Sequence, residues 1–151
     1  MTATASATAE RIGNVPPGTP APAQVRALEL LLIKPSKYDD HGYVMRYMRG
    51  VLPSNTLAAI SALTDEVQER GDLGDVPVRV RVIDELVEKV NVRKLARKHL
   101  RPNVRTVVAL CGVQTNQFPR AADLALEFHD AGFAVMLGGF HVSGAIAMSI
   151  D

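Results

Sequence analysis

The sequence predicts an α/β domain built on an open, mostly parallel, Rossmann-like (flavodoxin-like) sheet with helices on both faces. Three observations carry this. Apolar runs at Leu30–Ile33, Thr106–Cys111 and Ala134–Leu137 lack polar alternation, as strands buried on both faces do. Segments of helical spacing lie between them: Leu57/Ile60/Leu63/Val67, Val92/Leu95/Ala96/His99 and Ala121/Leu124/Ala125/Phe128. A further strand, Val78–Ile83 (VRVRVI), mostly alternates, so one face is polar and it suits a sheet edge. The implied strand order is 2-1-3-4. The switch point, where open α/β sheets bind ligands, then falls between the first and third strands.

The elements follow in order. Residues 1–24 are rich in Ala, Thr, Pro and Gly and are expected to form a disordered tail; a transit peptide is the alternative, against which stands a single basic residue, Arg11. The α/β domain is expected over residues 25–151. Its first strand ends at Pro35 and opens into a long loop, Ser36–Leu52, in which Val44–Met48 is expected to make a helical turn. Ser54 or Asn55 caps the first helix and Gly71 stops it. Asp84 and Glu85 stand at the end of the edge strand. They are expected either to face water or to bond a ribose or a partner domain. Asn91 caps a second helix running to Arg101, whose other face is basic: Arg93, Lys94, Arg97, Lys98, Arg101. Pro119 fits the first position of a third helix and Gly132 closes it. Ala145–Ile150 is expected to begin a further helix where the sequence stops, so the sheet looks truncated.

The organising stretch is Phe133–Gly144, FAVMLGGFHVSG. A buried strand ends abruptly in Gly138-Gly139, where an open sheet places its ligand. Paired glycines either let something bulky approach the backbone or make a tight turn. The crevice is bordered by residues 35–52, 112–117 and 138–144.

Composition narrows the function classes. A chain of 151 residues, 47% apolar, is enough for one core, and a net charge of +1 gives no global pull toward nucleic acid or acidic lipid. No aromatic residues interleave with the basic helix face, so no nucleic-acid partner is expected. No apolar run approaches the roughly 20 residues of a membrane span, and no signal-peptide pattern precedes the domain. The single cysteine, Cys111, reads as a small buried apolar residue; it excludes an internal disulfide or a multi-cysteine cluster within the chain and fits a cytoplasmic setting.

LLIKPSKYDDHGY and VMLGGFHVSG resemble the first loop and the glycine-glycine-x-histidine strand end of the cobalamin-binding domain attached to radical S-adenosylmethionine enzymes. The resemblance covers residues 26–150. In the wider cobalamin-binding fold a Ser-x-Leu element precedes a Gly-Gly pair; here Ala109-Leu110-Cys111 takes that place, with 26 residues (112–137) before Gly138. The resemblance implies cobalamin as cofactor, bound by Ser36, Tyr38, Gly112, Thr115, Asn116, Gly138, Gly139, His141 and Ser143. Ala109, Cys111 and the glycines would leave a slot for the benzimidazole-bearing tail. Hydroxyls and amides of Ser36, Thr115, Asn116 and Ser143 suit the amide-rich corrin rim. Asp39 and His41 match the first half of the Asp-x-His-x-x-Gly motif of cobalamin mutases, in which the histidine is a lower cobalt ligand; position 44 is Val, not Gly. His41 is therefore either a cobalt ligand or a solvated loop residue, and His141 either a corrin or phosphate contact or a loop residue.

The implied role is a cobalamin-binding module, catalytically incomplete alone. The iron–sulfur cluster and S-adenosylmethionine belong to a complete relative, since a CxxxCxxC motif is absent from this sequence. Expected partners are a radical S-adenosylmethionine catalytic domain or a second copy through an open sheet edge. Two other classes stay open: a cofactor-free flavodoxin-like interaction or regulatory domain, docking through the basic helix or the first loop, and a small nucleotide-acting enzyme.

Overall fold

Four strands pair side by side in the order β2-β1-β3-β4, every pairing parallel. The computed structural model describes residues 25–48 and 54–149. The expected tail (1–24) and the end of the first loop (49–53) lie outside them. Chain order is β1 (Ala27–Lys34), α1 (Asn55–Glu69), β2 (Val78–Asp84), α2 (Val92–His99), β3 (Val104–Leu110), a 3₁₀ turn (Thr115–Gln117), α3 (Phe118–Asp130), β4 (Ala134–Leu137) and α4 (Phe140–Ser149). The expected α/β class and strand order are what is found. β1 lies between β2 and β3, so the switch point falls between β1 and β3.

Strand alternation divides the core in two. Leu31, Ile33, Ile83, Val108 and Leu110 point to the face where Leu95 of α2 and Ala121, Leu124 and Phe128 of α3 pack. Leu32, Ala109 and Cys111 point to the other face, where they meet Leu57 and Ile60 of α1. The first face is covered over β1 and β3, while at its β2 edge Arg79 and Arg81 stay partly exposed. On the second, α1 packs against β1 and β2, and the strip above β3 and β4 is left open.

Local chemistry explains the helix ends. The Ser54 hydroxyl accepts from the Leu57 amide, and the Asn91 side chain accepts from Lys94 N at 2.9 Å. Gly71 sits at φ +69, past the end of α1, in the left-handed turn that glycine favours.

Three expectations are corrected. Leu63 is exposed: α1 buries a narrow stripe centred on Leu57, because it covers only two strands. Val44–Met48 forms no helical turn. Instead Val44 pairs with Tyr38 in an antiparallel bridge, closed by Gly42 at φ +83. The last helix starts at Phe140, five residues before the expected Ala145, so His141, Ser143 and Gly144 are helical. None of its residues is buried. No capping side chain or amphipathic period announces α4, which is why its start is hard to see in the sequence.

Candidate functional site

β3 and β4 end side by side, and their following turns are laced together. Gly138 N donates to Leu110 O at 3.0 Å, Val113 N to Gly138 O at 3.1 Å, and His141 N to Val113 O at 3.1 Å. Beside this junction, on the open strip next to α1, lies a groove of about 560 Å³. Its floor is Ala109 and Cys111; Thr56 and Ile60 of α1 form one wall, and Met136, Gly138 and Phe140 form the other. A second hollow of about 510 Å³, lined by Gln114, Thr115, Asn116 and Phe140, adjoins it over the strand ends. The two share Gln114 and Phe140, so apolar floor passes into polar mouth.

The three glycines of the site do different work. A Cβ on Gly138 would meet nothing within 4 Å, so its missing side chain opens the groove. A Cβ on Gly139 would stand 2.2 Å from Val113 N, and its φ is +143. Gly139 is thus required by the crossing of the two turns. A Cβ on Gly112, whose φ is +66, would stand 3.2 Å from the Thr56 side chain. All three line the groove, but only Gly138, helped by the small Ala109, leaves space that an added side chain could enter freely.

Cys111 is buried, and desolvation pushes its thiol above the usual cysteine range, which makes it an inert floor residue. Thr115 and Asn116 are exposed at the mouth. His141 stacks against Phe118, ring centroids 4.3 Å apart, with Nδ1 3.4 Å from Thr115 Oγ1. Ser143 is exposed on the first turn of α4, its amide donating to Gly139 O at 3.0 Å.

The first loop stands apart from the groove. Ser36 is fully buried: its amide donates to Glu85 Oε2 at 3.0 Å and its hydroxyl to Met45 O. It holds the loop and has no atom free for a ligand, which corrects its expected role. Tyr38 bonds the Asp123 carboxylate through its hydroxyl, and burial followed by that bond raises its pKa. The Arg120 guanidinium lies 5.9 Å from the Tyr38 ring centre. His41 is exposed in a turn braced by Asp39 Oδ1, which accepts from the amides of His41 (3.0 Å) and Tyr43 (2.8 Å). The aspartate thus serves the main chain rather than the imidazole. Among the described residues no group of three or more His, Cys, Asp or Glu side chains is arranged to hold a metal.

Glu85 is the residue whose importance the sequence hides. Expected to face water or a ligand, it is 2% exposed and grips Arg120 of α3, with Nη2 2.6 Å from Oε1 and Nε 3.1 Å from Oε1 and 3.2 Å from Oε2. Burial alone would lower the Arg120 pKa, but the bonds to Glu85 and Tyr38 outweigh it and raise it. Asp84 stays at the strand end, accepting from Leu86 N and lying 4.0 Å from Lys34 Nζ.

Comparisons of the chain with family models, with curated proteins and with solved structures return no match. No helix among the described residues is long and apolar enough to cross a membrane.

Proposed function

We propose that this chain is a cobalamin-binding module, taking the flat, benzimidazole-bearing tail of the corrinoid into the groove between α1 and the ends of β3 and β4. One observation carries this: the gap left by Gly138 and Ala109 is open rather than filled by the protein's own side chains. Its volume falls in the range of small-molecule sites, and its apolar floor and polar mouth suit a tail that ends in an amide-rich ring. Thr115 and Asn116 supply a hydroxyl and an amide at the mouth. The resemblance of LLIKPSKYDDHGY and VMLGGFHVSG to the cobalamin-binding domains of radical S-adenosylmethionine enzymes points to the same ligand, and the single, buried cysteine fits a cytoplasmic setting. Bound, the cofactor would supply cobalt-centred chemistry to a catalytic partner; this chain's residues hold and shield it.

Incubation with hydroxocobalamin followed by desalting is expected to leave a stoichiometric red-brown absorbance on the protein. Ala109→Leu, which raises the groove floor without touching either buried face of α2 or α3, should abolish that retention. Retention unchanged by Ala109→Leu would place the cofactor elsewhere. His41→Ala is expected to leave the absorption spectrum of the retained cobalamin unchanged, because the turn that carries it contributes nothing to the groove; a changed spectrum would make His41 the lower cobalt ligand.

A cofactor-free interaction domain is favoured by a different observation. Met136, Phe140 and Met148 are 63%, 81% and 79% exposed, and residues 131–149 hold no charged side chain, counting His141 as neutral. The outer edge of β4 has no strand partner among the described residues. Such a face seeks cover from a catalytic domain or a second copy. Under this alternative no absorbance is retained, while sedimentation shows association that Phe140→Asp weakens.

A further inference from the structure

At the opposite, amino end of the sheet, a cavity of about 370 Å³ opens between β1, β2 and the last turn of α2. Its lining includes Arg79 and Arg81 of β2, Glu29 of β1, and Lys98 and His99 of α2. Glu29 and His99 are both buried. His99 Nδ1 lies 2.9 Å from Glu29 Oε2, so this nitrogen carries its proton toward the carboxylate. The other oxygen of Glu29 accepts from Arg101 and lies 3.7 Å from Arg79 Nη1. The carboxylate is therefore satisfied. His99 Nε2 is not: it is the one buried side-chain polar atom without a hydrogen-bond partner among the described residues.

Charge points the same way. Four cations (Arg79, Arg81, Lys98, Arg101) meet two carboxylates, Glu29 and Glu88, the latter paired with Arg81. Cations in the last turn of α2 also complement its helix dipole, which accounts for Lys98. It does not account for Arg79 and Arg81, which project from a strand on the same side of the sheet. Arg93, Lys94 and Arg97, exposed on α2, add positive potential that would draw an anion in.

We propose that this cavity binds a small phosphate monoester as its singly protonated monoanion, its acceptor oxygens held by Arg79 and Lys98 and its hydroxyl donating to the buried nitrogen of His99. A phosphoryl group carries both acceptor oxygens and, when singly protonated, a donor; chloride offers neither the geometry nor the donor.

Inorganic phosphate is the probe. Titrated against the whole chain at constant ionic strength made up with chloride, it is expected to raise the thermal unfolding temperature saturably and to give a single-site isotherm by calorimetry. The double variant Arg79→Ala/Lys98→Ala changes two side chains on the cavity rim, so the fold should survive, as far-ultraviolet circular dichroism will show. It should weaken phosphate binding about tenfold or more. Sedimentation with phosphatidic-acid vesicles, lost in the same variant, would assign the phosphoryl group to a lipid headgroup. Equal stabilisation by chloride, or phosphate binding undiminished in a folded double variant, overturns the proposal. Because the cavity lies at the other end of the sheet, Ala109→Leu should leave phosphate binding intact.

Discussion

Replacing Arg120 by Ala should cost about 3–5 kcal/mol of unfolding free energy, the usual result of stripping the partner from a buried charge. The cause is local and specific. Glu85 is 2% exposed and gives both oxygens to the Arg120 guanidinium, while Oε2 also accepts the Ser36 amide. Without the guanidinium, one amide hydrogen bond remains to hold a carboxylate out of water. Arg120→Lys should recover only part of the loss, since an ammonium cannot reproduce the planar two-point contact. The double variant Arg120→Ala/Glu85→Ala should be less destabilised than the two single losses added together, because neither charge is then stranded. Urea unfolding of the parent, Arg120→Ala, Arg120→Lys, Glu85→Ala and the double variant measures all of this. A loss below about 1 kcal/mol for Arg120→Ala would mean the pair behaves as a surface salt bridge. The effect should also reach the first loop: Ser36 hangs from Glu85, and Ser36 fixes Met45. Proteolysis within residues 36–48 should therefore accelerate in Arg120→Ala.

What could be read from the sequence follows the range of the physics. Strand burial and order are legible because alternation, or its absence, is written in consecutive residues: VRVRVI reads as an edge, and Leu30–Ile33 as a centre. The caps at Ser54 and Asn91 and the stop at Gly71 are equally local. Pairings across long separations are not. Glu85 meets Arg120 across 35 positions and His99 meets Glu29 across 70, and nothing in either neighbourhood marks the partner. The candidate site divides in the same way. The glycine pair at the end of β4 is visible as a motif, whereas which glycine faces the ligand and which faces the chain depends on where Val113 passes. Ser36 shows the reverse hazard. A polar residue in a polar loop looks available, yet a buried carboxylate arriving from another strand consumes it.

That division of labour between neighbouring glycines gives the sharpest test of the site. Gly139→Ala should destabilise the protein by about 3 kcal/mol or more, because overpacking adds to backbone strain. The new Cβ would sit 2.2 Å from Val113 N, 2.7 Å from Val113 O and 2.8 Å from Gly112 C, all main-chain atoms that cannot swing aside, and the φ of +143 is one that side chains rarely adopt. The hydrogen bonds joining the turns after β3 and β4 would have to break to admit it. Gly138→Val meets open space and an ordinary backbone, so its stability should stay within about 1 kcal/mol of the parent. Its methyls instead enter the groove above Ala109, and cobalamin retention should be lost. A binding defect without a folding defect at position 138, beside a folding defect at 139, separates the ligand's space from the chain's own. If Gly138→Val keeps full retention, the tail of the corrinoid does not lie along this wall. If Gly139→Ala folds normally, the crossing of the two turns is looser than its hydrogen bonds imply, and the groove loses the rigid rim that would hold a ligand at the carboxyl edge of the sheet.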